Sequence, residues 1–396
     1  MHVSPTQDQL RLARKIVDDA HRHQGLASVD LDRFWADQMV AIADPFFDKC
    51  PQLPLGIMMG SECAFVELGE PEDRSRLADD EAYRSALSKR YNDESERIVG
   101  KRVLPEADAP SERAWPKVKK LNEIFEAPEA WINGSYWIRE AASDESSLAA
   151  LLDRVERRLE DLKEFILPND WAEEKAGLVG LGDQVPLYRS QRGPVTFAMS
   201  VYGVENLIYL ILDNPDLAAR FRDLILRTIL ERARILDTEA GYKPSEAPHG
   251  WSWYDDNCAM LNARMYDFFG YPILKAVFDR YCPDAADTRG QHSDSAMGHL
   301  LPSLGRLKLT WTNFGPTLTI GMIREHLPSA VIRGQLAPFA FSRNEETSIV
   351  AETLRDFEYS REARGVVFET AGSINNGSML TGMRLIMSTI QKHCRY

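Results

Sequence analysis

Apolar residues recur at helical spacing through much of the first half of the chain. Residues 6–43 show this spacing on both sides of a break at Gly25, which predicts two helices. Residues 73–103 and 146–165 show it again. In the later stretch six apolar residues share one face of the predicted helix: Leu148, Leu151, Leu152, Val155, Leu159 and Leu162. The apolar run at residues 55–59, which ends at Gly60, predicts a short buried strand.

From about residue 190 onward, short apolar stretches alternate with helical patterns. Strands are predicted at residues 195–201, 251–256, 289–293, 307–312, 330–336 and 365–370. Helices are predicted between and after them, including residues 263–281, 345–359 and 378–391. Such alternation predicts an α/β fold in which crossover helices join parallel strands. The repeated βα units favour a (β/α)8 TIM barrel.

The domain organisation follows from these patterns. We predict a helical extension at residues 1–45 and a barrel over residues 46–396, with an inserted helical segment around residues 73–185. An insertion of that length beside a barrel is a candidate lid.

The composition of the chain argues against several classes of binding partner. The chain has 396 residues, and 47 Lys and Arg against 60 Asp and Glu give a net charge of −13. This balance argues against nucleic acid and against an anionic membrane surface as partners. No stretch approaches the roughly 18 continuous apolar residues of a membrane span, and the N-terminus lacks an apolar signal core. The five cysteines are scattered, which predicts buried, reduced thiols and a cytoplasmic protein.

Polar residues follow five of the predicted strands, where a barrel carries its chemistry. They are Asp256, Asn257, His292, Asp294, Asn313, Gln335 and Glu369. Asp255 and Asp256 are adjacent, and neighbouring side chains on a strand point to opposite faces, so we expect one of the two only to cap a helix. Arg192 precedes the predicted strand at residues 195–201, the wrong end for catalysis, and is therefore interpreted as structural.

His292 and Asp294 lie on the same side of an extended chain. This spacing suits two ligands of one metal ion, or an acid/base pair. Asn313 and Gln335 are uncharged, so their expected work is to orient a substrate. The aromatic residues at positions 131, 136, 137, 251, 253 and 254 are read as core rather than as a stacking wall.

Several stretches between residues 185 and 392 resemble the uroporphyrinogen decarboxylase superfamily in order and spacing. They are residues 193–197, Gly203, residues 214–215, 255–257, 292–294, 313–316, 332–338 and 371–374. The resemblance implies a (β/α)8 barrel with its site at the carboxyl ends of the strands. It also implies one of two chemistries: decarboxylation of uroporphyrinogen without a cofactor, or methyl transfer by zinc enzymes that work with corrinoid proteins.

The chain departs from both branches of that superfamily. The decarboxylase has an arginine-rich segment after its first strand, where residues 58–63 of this chain hold no arginine. The methyltransferases have a His-x-Cys element and a later cysteine, where this chain has His292-Ser293-Asp294 and Gly372. We therefore interpret the chain as a divergent member.

The function expected from this resemblance is methyl or other one-carbon transfer, or demethylation of a small organic substrate, with a corrinoid protein or folate as acceptor. His292, Asp294 and Tyr202 are the candidate catalytic residues. The candidate substrate contacts are Asp256, Asn257, Asn313, Gln335 and Glu369. Zinc or another divalent metal would be held by His292, Asp294 and Glu369.

Three alternatives stay open at this point. A decarboxylase or lyase acting on a non-tetrapyrrole acid would use His292 as proton donor. A non-catalytic barrel that binds a ligand would also lack the two thiolates. A homodimer is compatible with the sequence, by analogy with barrels of this superfamily.

Overall fold

The computed structural model describes residues 4–23, 25–106, 118–132, 135–180, 189 and 191–396. The chain is a mixed α/β protein. Its helices are α1 Gln7–Arg22, α2 Leu31–Ala43, α3 Cys63–Leu68, α4 Arg74–Asp79, α5 Glu81–Val99, α6 Leu121–Ile124, α7 Glu145–Glu160, α8 Leu162–Ile166, α9 Trp171–Gly180, α10 Pro194–Tyr202, α11 Val204–Asp213, α12 Pro215–Glu239, α13 Ala263–Tyr281, α14 Leu301–Gly305, α15 Ile320–His326, α16 Pro338–Ser342, α17 Glu346–Ala363 and α18 Leu380–His393. Its strands are β1 Glu129–Ile132, β2 Ser135–Ile138, β3 Gln191–Arg192, β4 Trp251–Tyr254, β5 Arg289–Ser293, β6 Trp311–Phe314, β7 Val331–Arg333 and β8 Val366–Val367.

Residue contacts divide the chain into two compact units. The first unit comprises Met1–Ala109, Ser293–Gly298 and Trp311–Tyr396, and the second comprises Pro110–His292 and His299–Thr310. The domain prediction, with an extension at residues 1–45 and an insertion around residues 73–185, stays a prediction.

In the first unit β6, β7 and β8 are parallel and follow the order of the sequence. The predicted strand at residues 55–59 contributes one bridging residue, Leu55, which pairs in parallel with Phe368. The Gly56 N–H donates to the Phe368 carbonyl at 2.8 Å, and the Phe368 N–H donates to the Pro54 carbonyl at 2.8 Å. The earliest and the latest strand segments are therefore neighbours, as closure of a barrel requires. A closed eight-stranded barrel stays a prediction.

The helices of the first unit confirm the pattern read at residues 6–43. Thr6 caps α1 in a capping box with Gln9, and Asp30 caps α2 by accepting from the Arg33 N–H. Between them Gly25 has a φ of +80°, in the left-handed region that ends a helix at low cost. Helix α1 packs on α17 and α18, which form the carboxyl-terminal pair of this unit.

In the second unit β3, β4 and β5 are parallel and again follow the order of the sequence. Helices α12 and α13 pack together, and α7 packs on α12. The apolar face predicted at residues 146–165 is buried, although a break at Asp161 divides it between α7 and α8. The antiparallel hairpin β1–β2 was not predicted, and three of its aromatic side chains are exposed: Trp131, Tyr136 and Trp137.

The strand predicted at residues 195–201 is wrong, because this segment is the helix α10. Pro194 occupies the first turn of α10, where its missing N–H costs nothing, and Gly193 is the N-cap. The helix is buried on nearly every side, so its apolar run shows no helical periodicity. A short run of this kind cannot be assigned by pattern alone.

Among the described residues, no single helix is long and apolar enough to cross a membrane. The pair α10 and α11, which meet at a bend of 101°, passes the same test of length and composition only when taken together.

Candidate functional site

The second unit brings His292 and Asp256 together at the carboxyl ends of adjacent strands. His292 is near the end of β5, and Asp256 opens the 3-10 helix Asp256–Met260 that follows β4. A ring nitrogen of His292 and a carboxylate oxygen of Asp256 lie within 4.8 Å of each other. The ring of Tyr254, the register partner of His292, lies 5.6 Å from the imidazole between centroids. An imidazole beside a carboxylate is an arrangement able to accept and donate a proton.

Asp255 caps a helix, the role that was expected of either Asp255 or Asp256. It is fully buried, and its carboxylate accepts from the Thr196 N–H at 2.8 Å, within the first turn of α10. It therefore caps α10, which precedes it in the chain, and not the helix that follows. The Thr196 hydroxyl oxygen in turn accepts from the Asn257 N–H at 2.9 Å. This chain of bonds fixes the backbone of Asp256 and Asn257, two of the five predicted substrate contacts.

Burial raises the pKa of the Asp255 carboxyl group to about 6, against the lowering effect of its bonds to Thr196. An aspartate in an unfolded chain ionises near pH 4. The folded state should therefore lose stability as the pH rises from about 4 to about 6. The loss should be about 3 kcal/mol. Asp255→Asn keeps an acceptor for the cap and removes the charge. We expect urea unfolding of the variant, followed by tryptophan fluorescence from pH 4 to pH 7, to lack this decline. Parallel pH profiles for the two proteins would contradict the assignment.

Tyr202, a predicted donor, lies in the helical core of the second unit. It ends α10, is 3% exposed, and packs edge-on against Phe221 at 6.5 Å. Desolvation raises the pKa of its phenol, with a smaller contribution from Glu145. The sequence missed Tyr254 as the phenol that contacts His292, because it was read as one of a group of core aromatics. Tyr254 is 47% exposed and ends a strand beside the imidazole.

The prediction for Arg192 was also wrong, because it assumed a strand at residues 195–201 that Arg192 would precede. The strand is β3, Gln191–Arg192, so Arg192 ends it. Its register partner is Tyr254, whose own partner on the next strand is His292. The side chain interpreted as structural therefore lies at the end of the strand where the candidate site is.

In the first unit Asn313 joins the ends of three strands. It is 6% exposed, and the two N–H bonds of its amide are shared among three acceptors: the Arg333 carbonyl at 2.9 Å, the Thr370 carbonyl at 2.9 Å and Glu369 Oε1 at 3.0 Å from the nitrogen. Its amide oxygen accepts from the Gly372 N–H at 3.1 Å. The prediction placed Asn313 and Glu369 in one site, and the structure brings them into direct contact. The Asn313 carboxamide hydrogen-bonds to the protein itself, so it holds Glu369 and the ends of the neighbouring strands in place.

Glu369 is held by a residue that the sequence analysis did not single out. Arg333 donates to both of its carboxylate oxygens, with Nη2 3.0 Å from Oε2 and Nε 3.2 Å from Oε1. Gly56 makes room for this pair, since a Cβ at that position would lie 2.5 Å from Glu369 Oε2. A guanidinium fork that engages both oxygens competes with any cation there. We therefore do not retain Glu369 as a metal ligand.

Asp294 follows β5 in the first unit, next to two close-fitting glycines. A Cβ on Gly372, which has a φ of +112°, would lie 2.3 Å from Asp294 Oδ1, and one on Gly315 would lie 2.4 Å from the Asp294 carbonyl oxygen. The Ser373 hydroxyl donates to Asp294 Oδ2 at 3.4 Å. The absence of a side chain at Gly372 therefore leaves room for the Asp294 carboxylate.

Gln335, a predicted substrate contact, instead supports a loop. It is 1% exposed, and its amide nitrogen donates to the carbonyls of Gly315 at 3.2 Å and Leu318 at 2.8 Å. Its backbone is held by the buried pair Arg355 and Asp356, whose side chains lie 2.7 Å apart. Gln335 thus fixes the loop after β6.

The cysteines supply no thiolate to either unit. All five are free and buried, as the sequence predicted. Desolvation raises the pKa of each thiol, to about 12 for Cys63 and about 11 for Cys282. Among the described residues, no cysteine belongs to a group of side chains close enough to share a metal ion, so the ligands that these groups offer are nitrogen and oxygen atoms.

Comparison with known proteins finds similarity among solved structures and none among family models or curated proteins. No protein-family model matches the sequence, and no curated protein matches it. Among solved structures, a methyltransferase from Methanosarcina mazei is similar, with 15% sequence identity and a TM-score of 0.50. The match covers 89% of this chain and 96% of that chain. At this identity the likeness shows a shared fold, which agrees with the α/β fold class read from the sequence.

Proposed function

We propose that this chain is an enzyme that transfers a methyl or other one-carbon group from a small organic compound. The observation that carries the proposal is the pair of His292 and Asp256, whose ligand-type atoms lie within 4.8 Å at the ends of adjacent strands. The fold shared with a methyltransferase supports the reaction class.

His292 has a defined task in such a reaction. When a methyl group leaves an oxygen or nitrogen atom, the bond from carbon to that atom breaks and its electron pair stays on the leaving group. The leaving group then needs a proton, which an imidazolium can donate. Asp256 would stabilise the charged imidazole and orient it. The methyl group would pass to a folate or to the corrinoid of a partner protein.

In place of this proton transfer, the same side chains could hold a divalent metal, zinc among others, because an imidazole that ligates a cation is neutral and does not donate the proton. His292 and Asp256 could each give one ligand, and Asp294 is two residues from His292 in the chain. A bound cation would act as a Lewis acid on a substrate oxygen. The buried cysteines with raised thiol pKa make this set nitrogen- and oxygen-rich, unlike the sulfur-rich set that activates thiols.

The same lack of a thiolate favours a second candidate, a decarboxylase or lyase that acts on a small acid. There the carbon–carbon bond to the carboxylate would break, carbon dioxide would leave, and His292 would protonate the resulting carbanion. The two candidates share the imidazole and differ in the product.

The test compares His292→Ala and Asp256→Asn with His249→Ala. His249 is a half-exposed histidine of the same unit whose ring contacts Asp287 at 3.1 Å, so it is a matched control. Wild-type protein is assayed with a panel of methyl ethers, methylamines and small acids, with cob(I)alamin or tetrahydrofolate as acceptor. Methylated acceptor and carbon dioxide are both measured.

We expect His292→Ala to lower turnover about 100-fold and Asp256→Asn about tenfold, with His249→Ala unchanged. Carbon dioxide without methylated acceptor would select the second candidate. Ligand binding without either product, and equal binding by the variants, would identify a non-catalytic binding protein. Metal content of the same four samples tests the cation.

A further inference from the structure

In the second unit a guanidinium, a phenol and an imidazole lie side by side on three adjacent strands. Arg192, Tyr254 and His292 are successive register partners across β3, β4 and β5. Register partners in a parallel sheet project to the same face, and the contact of 5.6 Å between the rings of Tyr254 and His292 agrees with this. The Arg192 side chain therefore shares a face with the imidazole.

That face is the open side of the three strands. One residue earlier on β4 and β5 the side chains belong to the opposite face, where Trp253 and Gln291 are fully buried. Tyr254 is 47% exposed, and Arg192 is exposed as well. A small molecule could therefore reach the guanidinium from the side that carries His292.

Arg192 has no ion pair or hydrogen bond with any residue that the structure describes. Arg189, three residues earlier, shows the contrast: its side chain is 10% exposed, lies 3.5 Å from Asp237 and stacks on Tyr281 at 4.4 Å. A structural arginine in this segment is thus enclosed and paired. The charge of Arg192, in a chain whose net charge is −13, is left available to a ligand.

The positive N-terminus of a helix is the other feature near these strand ends that could attract an anion. Helix α10 begins two residues after Arg192, but Asp255 accepts from its Thr196 N–H, so a carboxylate of the protein already lies at the helix N-terminus. An anion at this level would therefore be held by the guanidinium, with the Tyr254 hydroxyl as an additional donor.

We propose that Arg192, assisted by Tyr254, binds a carboxylate of the substrate and holds the molecule against His292. A guanidinium matches the two oxygens of a carboxylate in a bidentate pair. The Asp256 carboxylate beside His292 repels a second negative charge, so a carboxylate monoanion is favoured over a phosphate dianion. This inference rests on the proposed function and assigns its substrate class, a small organic acid.

The test measures binding, so that it does not depend on turnover. The probes are benzoate, its neutral isostere benzamide, and inorganic phosphate at constant ionic strength. Saturation-transfer NMR and calorimetric titration give the affinity of each for wild type, Arg192→Gln, Arg192→Lys and Tyr254→Phe. Arg157→Gln is the matched control, because Arg157 is an exposed arginine on α7 of the same unit.

We expect benzoate to bind wild type and to bind Arg192→Gln at least about tenfold more weakly, a change of about 1.4 kcal/mol. Arg192→Lys should retain part of the affinity, Tyr254→Phe should lose less than Arg192→Gln, and Arg157→Gln should match wild type. Benzamide should bind weakly to every protein.

Three outcomes would overturn the inference: no benzoate binding by wild type, equal benzoate binding by Arg192→Gln, or tighter binding of phosphate than of benzoate. Failure of the proposed function looks different. In that case His292→Ala would leave turnover unchanged, or no product would form, while the dependence of benzoate binding on Arg192 persisted.

Discussion

Asn313→Asp is expected to destabilise the first unit by about 4 kcal/mol or more at neutral pH. The substitution hardly changes the shape of the side chain, but it replaces a donor with an acceptor. The amide nitrogen of Asn313 faces three oxygens, two backbone carbonyls and Glu369 Oε1, at 2.9 to 3.0 Å. A carboxylate there would lose every one of these bonds and would face a second carboxylate in a buried place.

The pH dependence separates this explanation from a simple loss of packing. Burial and the charge of Glu369 should both raise the pKa of the new carboxyl group in the folded protein. A folded pKa above the unfolded one means that stability is lost as the pH rises through that range. The destabilisation should therefore be smaller at pH 5 than at pH 8, as measured by chemical unfolding at both values.

Asn376→Asp is the matched control for this substitution. Asn376 also donates to a glutamate, Glu72 Oε2 at 2.8 Å, but at the surface. Water screens that contact, so we expect a cost below about 1 kcal/mol. If Asn313→Asp cost no more than Asn376→Asp, the first unit would not depend on this junction.

The sequence predicted the amphipathic elements better than the buried ones. The two helices at residues 6–43 were identified because each has one apolar face and a polar cap, Thr6 or Asp30. Helix α10 was misread because burial on nearly all sides removes periodicity, and its only remaining signals were Gly193 and Pro194. One wrong strand then placed Arg192 at the wrong end of the sheet.

The sequence predicted which polar side chains lie close together better than it predicted what each of them contacts. The rule that polar side chains at strand ends form a site selected His292 with Asp256 and Asn313 with Glu369, and the members of each pair lie close together in the structure. It could not show that Glu369 is paired with a guanidinium, because Arg333 lies 36 residues away in the chain. The signal was present, however, since Arg333 ends a strand of apolar residues, where a cation needs a partner.

Spacing along a strand also predicts that one of two neighbouring residues is structural, but neither which one it is nor what it supports. The alternation rule required Asp255 and Asp256 to differ, and they do. The partner of Asp255 is the first turn of α10, about 60 residues earlier, which no local pattern reveals. Long-range contacts of this kind decide whether a polar residue binds a ligand or the chain itself.

Gly193→Ala is expected to cost the second unit about 4 kcal/mol or more, because the junction of β3, β4 and α10 has no space for a methyl group. A Cβ on Gly193 would lie 2.1 Å from the Asp255 Cβ and 2.6 Å from its Cα. Rotation of a side chain cannot relieve a contact with Cα, so the two strands must separate. Separation would also stretch the bond of 2.7 Å from the Gly193 N–H to the Tyr254 carbonyl.

The matched control for Gly193→Ala is Gly177→Ala, on α9 of the same unit. A Cβ on Gly177 meets nothing within 4 Å, and alanine favours a helix over glycine by about 1 kcal/mol. We expect Gly177→Ala to be neutral or stabilising and Gly193→Ala to unfold at much lower urea, with pulse proteolysis in lysate as the measurement if the protein resists purification. Equal midpoints would show that Asp255 moves freely, and the cap that orders Asp256 beside His292 would then lose its structural basis.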